Sequence, residues 1–426
     1  MEAIETRSGN YLSNLRFKIP KIDWFNIDFY FNILLILIFT LPRSYFEIKI
    51  CFILITSFSV ILKHKLIFSK KGILLVNIFI WTFFGIFWSL LGMYYNNANI
   101  AEALRLFLGY PVFIILFYCL VEKHVNKERM IYAVHLSVVL IFLINVIGIV
   151  LYVQNRVPAF FTENLAFNVG IHPGYIQLTA HNIGALFYLI PVSFLDIFLV
   201  RFKNIKSYKL SKRLMFIFIL ICGIIITIIA GRRALWLSVF LLFVIFLIYL
   251  ILNYRKYKRV LTYFLFAFIL FSSIAVYNLS DIIDQDNLTE RLTGWYNSKD
   301  EERFIQSKYL IASFYDKPII GHGFNAELRN GYVRNDKAYL FESYILTILF
   351  NTGIIGFLIY LLILIYPFLL KWRSSVVKFI FFVSIFSLFI ANFSNPYFGS
   401  FDFIFYIFLP FFFIDYKPTF VAGKSN

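Results

Sequence analysis

Pro318-Ile319-Ile320-Gly321-His322-Gly323-Phe324, then Phe341-Glu342-Ser343, then Gly353-Ile354-Ile355-Gly356 mark the end of the longest polar interruption in an otherwise apolar chain. The interruption runs from Asp281 to Tyr339, and the next apolar run opens at Leu340. That run is long enough to cross a bilayer as a helix, so the polar stretch reads as a large loop at the mouth of a membrane span.

Hydrophobic residues make up 61% of the 426-residue chain and charged residues only 15%. Mean hydropathy is +0.79. A soluble domain of this size needs far more polar surface, which leaves a polytopic membrane protein. Apolar runs of roughly 17–25 residues, the length that spans a bilayer, recur about twelve times. They start near Phe25, Tyr45, Gly72, Leu104, Met130, Tyr175, Leu214, Arg233, Val260, Leu340, Val376 and Phe398. The expected fold is all-α and polytopic, with residues 1–426 forming a single integral membrane domain. Residues 281–339 form the large loop between the ninth and tenth spans.

The net charge of +17 is distributed as a topology signal. Basic residues cluster in alternate loops: Lys63 to Lys71, Lys123 to Arg129, Arg201 to Arg213, Arg255 to Arg259, and Lys371 with Arg373. The short loops between them are nearly free of Lys and Arg. This positive-inside alternation puts both termini in the cytoplasm and excludes nucleic acid as the reason for the charge. The 281–339 loop interleaves its basic residues with Asp and Glu, and long loops obey the rule weakly. It is placed on the outer side. ATP is absent there, so any reaction must draw on a bond already activated in the substrate.

Cys51, Cys119 and Cys222 all fall inside expected spans, too scattered for a disulfide framework or a zinc site. The polar, basic segment Met1–Lys21 lacks the short apolar region and cleavage site of a signal peptide, so the first span reads as retained. No P-loop, dinucleotide fingerprint or metal-spaced His/Asp cluster is present, and no cofactor or metal is expected. The lack of an internal repeat weighs against a transporter built from duplicated halves.

Charges in or beside membrane helices are costly, roughly 2.5–3.5 kcal/mol each at mid-bilayer. Arg232 and Arg233 sit in Ala230-Gly231-Arg232-Arg233-Ala234, a tight turn on the outer side, where routine basic anchoring is disfavoured. Gly231 permits a turn that aims a guanidinium inward, and its planar fork matches phosphate oxygens. Successive helical positions diverge by about 100°, so one of the two serves a site. The bland alternative is snorkelling to headgroups. Arg105 is a second candidate, with Glu102 three residues earlier as its structural partner. His181 and Asn182 are expected about 9 Å inside a span starting near Tyr175, at 1.5 Å per residue, either bonding another helix or facing a wet cavity. His172, before Pro173, reads as loop. Glu342, at the outer end of the tenth span, is either a favourable first-turn carboxylate or a catalytic one. Gly353 and Gly356 fall on one helical face, which suits close helix packing.

Four patches, in order, resemble the O-antigen polymerase and O-antigen ligase-like superfamily of bacterial glycan-assembly enzymes. Ala180–Pro191 is similar to that family's Pro-Asn-x-x-Ala opening of a mid-chain span. Gly231-Arg232-Arg233-Ala234-Leu235 is similar to its Ser-Arg-Gly-Ala-Leu turn, with Arg233 in place of the small residue. Arg303 through Gly323 resembles its loop segment with an Arg and a later Pro-x-x-Gly-x-Gly. Glu342-Ser343-Tyr344 through Gly356 resembles the opening of the span after that loop.

The resemblance implies a GT-C-like membrane glycosyltransferase of the bacterial inner membrane. It moves an oligosaccharide from an undecaprenyl diphosphate donor to a sugar hydroxyl on a second lipid-linked repeat unit. Related ligases begin the post-loop span with His-Asn, whereas Glu342-Ser343 stands here, closer to the polymerase branch; His322 is near enough in sequence to mimic the ligase histidine. In this picture Arg232, Arg303 and Arg105 stabilise the departing diphosphate. Glu342 orients or deprotonates the acceptor. Arg233, His181, Asn182 and His322 line the substrate. Membrane lipids and a polysaccharide chain-length regulator are the other expected partners. The alternatives are a ligase delivering glycan to lipid A-core and a non-enzymatic lipid-glycan transporter.

Overall fold

The computed structural model describes residues 26–63, 71–96, 98–172, 175–202, 208–253, 255, 257–258, 260–262, 298–328, 341–393, 395 and 397–418. Helix α1 (Ile27–Thr40) opens at Asn26, whose side chain accepts the Phe29 N–H and so satisfies a free donor of the first turn. Helices α2 (Phe46–Lys63) and α3 (Lys71–Asn96) follow. Asn99 caps α4 (Ile100–Leu104), which passes through a π turn at Arg105–Gly109 into α5 (Tyr110–Val121) as one continuous span. Asn126 caps α6 (Lys127–Val153).

A hairpin of β1 (Asn168–His172) and β2 (Tyr175–Thr179) leads into α7 (Ile183–Asp196). Then come α8 (Leu210–Ala230), α9 (Arg233–Leu252), α10 (Ser298–Asp316), α11 (Tyr344–Leu369), α12 (Ser375–Ala391) and α13 (Phe401–Phe413).

Among the described residues, seven helical spans are long and apolar enough to cross a membrane, and α1, α12 and α13 are apolar but shorter. Every residue of α7 and α13 is buried. Helices that are apolar all round belong at the centre of a bundle, and α7 packs against α6, α8, α9 and α12. The outer helices bury one face only. Their other face presents large apolar side chains such as Phe79, Phe240 and Leu252, the surface of a chain solvated by lipid. At one end of the bundle, Asp196 takes Arg201 Nε at 2.8 Å and His135 Nε2 at 3.1 Å, and Arg201 reaches Glu128 at 2.9 Å. Buried charge is tolerated only when paired in this way.

Two sequence expectations are corrected. The sixth span does not begin near Tyr175. Tyr175–Thr179 is a strand, paired antiparallel so that Val169 faces Leu178 and His172 faces Tyr175. The alternation of Ile176 and Leu178 with polar Gln177 and Thr179 is a strand pattern, and the apolar run that continues it beyond Ile183 masked the change of period. His181 therefore precedes α7 instead of lying 9 Å within it.

The second correction concerns Gly353 and Gly356. They do not form a packing stripe on a continuous helix, because α11 breaks at Gly353 (φ 61°, ψ −170°), a backbone region that only glycine occupies readily. The Pro318–Phe324 segment repairs the break. Phe350 and Asn351 carbonyls accept the His322 and Gly323 N–H groups at 3.1 and 2.7 Å. On the far side, Ile354 and Ile355 donate to the Pro318 and Ile319 carbonyls at 2.9 and 3.2 Å. The same segment ties to α3: Phe324 N–H donates to Trp88 O at 2.9 Å, and Trp88 Nε1 donates to Ile320 O at 2.7 Å. A glycine-rich loop thus supplies hydrogen bonds that the broken helix has lost, as an apolar surrounding demands.

Candidate functional site

Four connections meet at the end of the bundle opposite Asp196 and Arg201. The α1–α2 turn holds Arg43 at φ 65° and Tyr45 at φ 54°, left-handed conformations that are uncommon for non-glycine residues. The Asp402 carboxylate at the start of α13 accepts the Arg43 N–H at 2.7 Å, and it also pairs with Lys49. Lys49 donates in addition to the Leu41 carbonyl at 2.7 Å, so a buried ion pair holds the turn from beneath. Ser44 donates its hydroxyl to the Asn164 carbonyl. The His181 N–H meets Leu165 O at 2.8 Å, which brings the end of the hairpin to the same place.

The α8–α9 turn completes the cluster. Gly231 takes the left-handed conformation (φ 59°, ψ 20°) and ends α8 with its N–H on Ile228 O at 3.1 Å. Arg232 is then extended (φ −92°, ψ 115°) and occupies the N-cap position of α9. Its side chain is half-buried, and its Nε is buried with no hydrogen-bond partner. A guanidinium stays charged at any relevant pH. Leaving one of its donors buried and unmade costs about 1–3 kcal/mol, more for a charged group. Such a donor is suited to an anionic oxygen.

His181 lies within electrostatic reach of both Arg43 and Arg232. Burial, foremost, and then these two cations push its pKa down, while a hydrogen bond with the Asn164 backbone opposes them. The imidazole is neutral, and its Nδ1 is buried without a partner. Behind it, fully buried Asn182 accepts from Asn145 Nδ2 at 3.2 Å and leaves its own Nδ2 without a partner.

The remaining sequence candidates are more dispersed. Arg233 is the first residue of α9 and is half-buried. Arg105 is 60% exposed on its side chain and faces Glu102 at 3.9 Å, the structural pairing its spacing allows. His322 is buried, with Nε2 2.8 Å from Ser313 O and its ring stacked on Phe350. Its contacts are those of the segment that repairs α11. Glu342 precedes the Ser343 N-cap of α11 instead of lying in the first turn, and Gln306 Oε1 accepts its N–H at 2.8 Å. Arg303 falls within α10, and its side chain lies outside the described residues, as do residues 281–297 and 329–339 of the large loop.

The structure therefore puts His181 within electrostatic reach of Arg232 and also of Arg43, which sequence reasoning passed over. A signal was available: Arg43 sits in a short loop, free of other Lys and Arg, that the positive-inside alternation assigns to the outer side, the same anomaly that singles out Arg232. Lys49 and Asp402 were equally visible as charges inside apolar runs.

Residues 216–361 match the family model described as O-antigen ligase. Over this segment, about a third of its length, the chain is similar to the O-antigen ligase/polymerase-like superfamily. Members of that superfamily are membrane glycosyltransferase-like enzymes of polysaccharide biosynthesis. The matched segment contains Arg232, the loop that repairs α11, and the break itself. Arg43 and His181 come to the cluster from outside it. No curated protein matches the chain.

Proposed function

We propose that this chain polymerises lipid-linked oligosaccharide repeat units, as a GT-C-like inner-membrane enzyme of about twelve spans with cytoplasmic termini. The observation that carries the reading is half-buried Arg232, inside the matched segment, whose Nε is buried without a hydrogen-bond partner, with His181 within electrostatic reach of it and of Arg43. The reaction needs no nucleotide, because undecaprenyl diphosphate is already a good leaving group. An acceptor sugar hydroxyl oxygen bonds to the anomeric carbon of the donor. The anomeric C–O bond to phosphate breaks, its electron pair leaves on the diphosphate, and the configuration inverts. Negative charge grows on the bridging oxygen, and preorganised cations at Arg232 and Arg43 stabilise it. Glu342, at the mouth of α11, hydrogen-bonds and orients the acceptor.

Polymerisation is favoured over ligation to lipid A-core by two observations. Glu342 stands where ligases of the family are expected to carry histidine. His322, the nearby histidine in sequence, is packed against Phe350 with its ring nitrogen at Ser313 O.

Arg232→Ala is expected to abolish polymer ladders in a deletion strain while membrane levels hold. Arg232→Lys restores them only in part, because a point charge replaces the bidentate fork. Normal ladders from both variants return Arg232 to headgroup snorkelling and remove the basis of the reading.

A further inference from the structure

The exposed face of α3 measures where lipid begins and ends. Leu75, Phe79, Phe83, Ile86, Leu90 and Tyr94 are exposed along it, between Lys71 and Asn96. At 1.5 Å per residue that stripe is about 28 Å long, close to the ~30 Å hydrocarbon thickness of a bilayer. Tyr94 and Tyr95 then stand at one interface, where aromatic side chains with a polar tip collect. Trp88 lies about 9 Å of helix below Tyr94. Its Nε1 donates to Ile320 O at 2.7 Å, and its carbonyl takes the Phe324 N–H at 2.9 Å. The Pro318–Phe324 segment is thus held at the depth of the acyl chains.

Helix α11 places the segment at the same level. No residue of α11 from Tyr344 to Gly353 is exposed, and α10 and the segment pack against it there. Beyond the break an exposed apolar face starts at once with Ile354, Ile355, Leu358 and Leu362. The Ile354 and Ile355 N–H groups donate to the Pro318 and Ile319 carbonyls, so this face runs straight on to exposed Ile319 and Ile320. Tyr315 and then Ile311 continue it along α10 at helical spacing, until exposed Lys308 ends the apolar run. Asp316 is exposed at its edge, and Lys317 places Nζ 3.1 Å from the centroid of the Tyr95 ring. A lysine that carries its ammonium to an interfacial tyrosine keeps its stem along apolar surface and its charge at the headgroups.

We propose that Pro318–Phe324 is a re-entrant segment: it dips into the bilayer leaflet at the Tyr94 end of α3 and seats Ile319 and Ile320 among acyl chains, with Tyr315 at the headgroup boundary and α10 rising through it. The occupant of this face is bilayer lipid, because the face is continuous with the lipid-facing surface of α11 and level with that of α3. Irregular backbone at such depth must have its polar groups matched within the protein. Here Trp88, Phe350, Asn351, Ile354 and Ile355 supply the partners. The end of the long loop is thereby fixed to the membrane from within. The inference needs only a membrane-spanning chain, so it stands or falls apart from the polymerase reading.

The test uses the full chain in nanodiscs of phosphatidylethanolamine and phosphatidylglycerol, with Cys51, Cys119 and Cys222 replaced and one nitroxide label at a time. The readout is the ratio of label collisions with oxygen, which concentrates in lipid, to collisions with a water-soluble nickel chelate. Phe83→Cys, on the exposed face of α3, sets the lipid value, and Thr162→Cys sets the aqueous one. Ile319→Cys and Ile320→Cys are expected near the Phe83→Cys ratio, and Tyr315→Cys between the two references. Phe304→Cys, on the far side of Lys308, is expected near the Thr162→Cys ratio. An aqueous ratio at Ile319 or Ile320 overturns the inference. Labels there that meet neither quencher overturn it as well, since the rest of the chain then covers the face. The wild-type chain supplies a second measurement that needs no substitution. A diazirine dissolved in the lipid is expected to insert into Tyr315–Ile320, and insertion there from a water-soluble diazirine alone overturns the inference even where a labelled variant does not assemble.

Discussion

Gly321 and Gly353 meet backbone to backbone: a Cβ built on Gly321 would lie 2.4 Å from Gly353 N, and one on Gly353 would lie 2.4 Å from Ile319 O. Gly353 also holds a conformation costing other residues on the order of 1–3 kcal/mol. Gly353→Ala and Gly321→Ala are therefore expected to lower the midpoint of thermal unfolding by several degrees in detergent, followed by fluorescence size-exclusion. Gly109→Ala is the control, since its Cβ would meet nothing closer than Leu104 O at 3.7 Å. Equal midpoints for all three would mean that the loop and the broken helix are not locked together.

The same contact shows why part of the fold was illegible. Composition, run length and basic-loop alternation depend on local sequence, and they place most of the helices. The break in α11 depends on a segment about thirty residues upstream that supplies carbonyls and N–H groups through space, and no local periodicity registers that. Gly353 and Gly356 have the spacing of a packing stripe whether or not the helix continues between them. For the candidate site, Arg232 was readable because a positive charge is anomalous in a loop that the basic-residue alternation assigns to the outer side. His181 was readable as polar in an apolar run, but its depth depended on a span boundary that the strand pattern of Tyr175–Thr179 moved. That Arg43 joins them depends on the α1–α2 turn folding over Asp402, a contact between residues 359 positions apart.

Glu342 precedes the cap of α11, so the helix dipole alone would give it about 0.3–1 kcal/mol. As an orienting group it would lose a charge-assisted hydrogen bond, about 1.5–3 kcal/mol, in Glu342→Gln. Polymer yield at matched membrane levels is then expected to fall about 10–100-fold, with products shifted to one or a few repeats. Unchanged ladder length would confine Glu342 to a structural role.

Topology offers an independent check. Thr162 is exposed at the Arg232 end of the bundle, and Lys123 is exposed at the opposite end. In a background with Cys51, Cys119 and Cys222 replaced, Thr162→Cys is expected to react with an impermeant maleimide in intact spheroplasts. Lys123→Cys should react only after permeabilisation. The reverse pattern would place the Arg43, His181 and Arg232 cluster on the cytoplasmic side, where a lipid-linked repeat unit awaiting polymerisation is not exposed.

The Lys49–Asp402 pair is the last point of leverage, because it joins stability to the site. Both side chains are almost fully buried, and Asp402 also holds the Arg43 backbone. Removing one partner strands the other as an uncompensated buried charge, a loss of about 3–5 kcal/mol. Lys49→Met alone is thus expected to cause a large fall in thermal stability, and Asp402→Leu alone a similar one. The double variant leaves no stranded charge and should recover much of the loss. It nonetheless removes the acceptor for the Arg43 N–H, so the left-handed turn loses its anchor. Polymer synthesis by the double variant should stay depressed while its unfolding midpoint rises, and recovery of both together would make the pair a stabilising element with no bearing on Arg43.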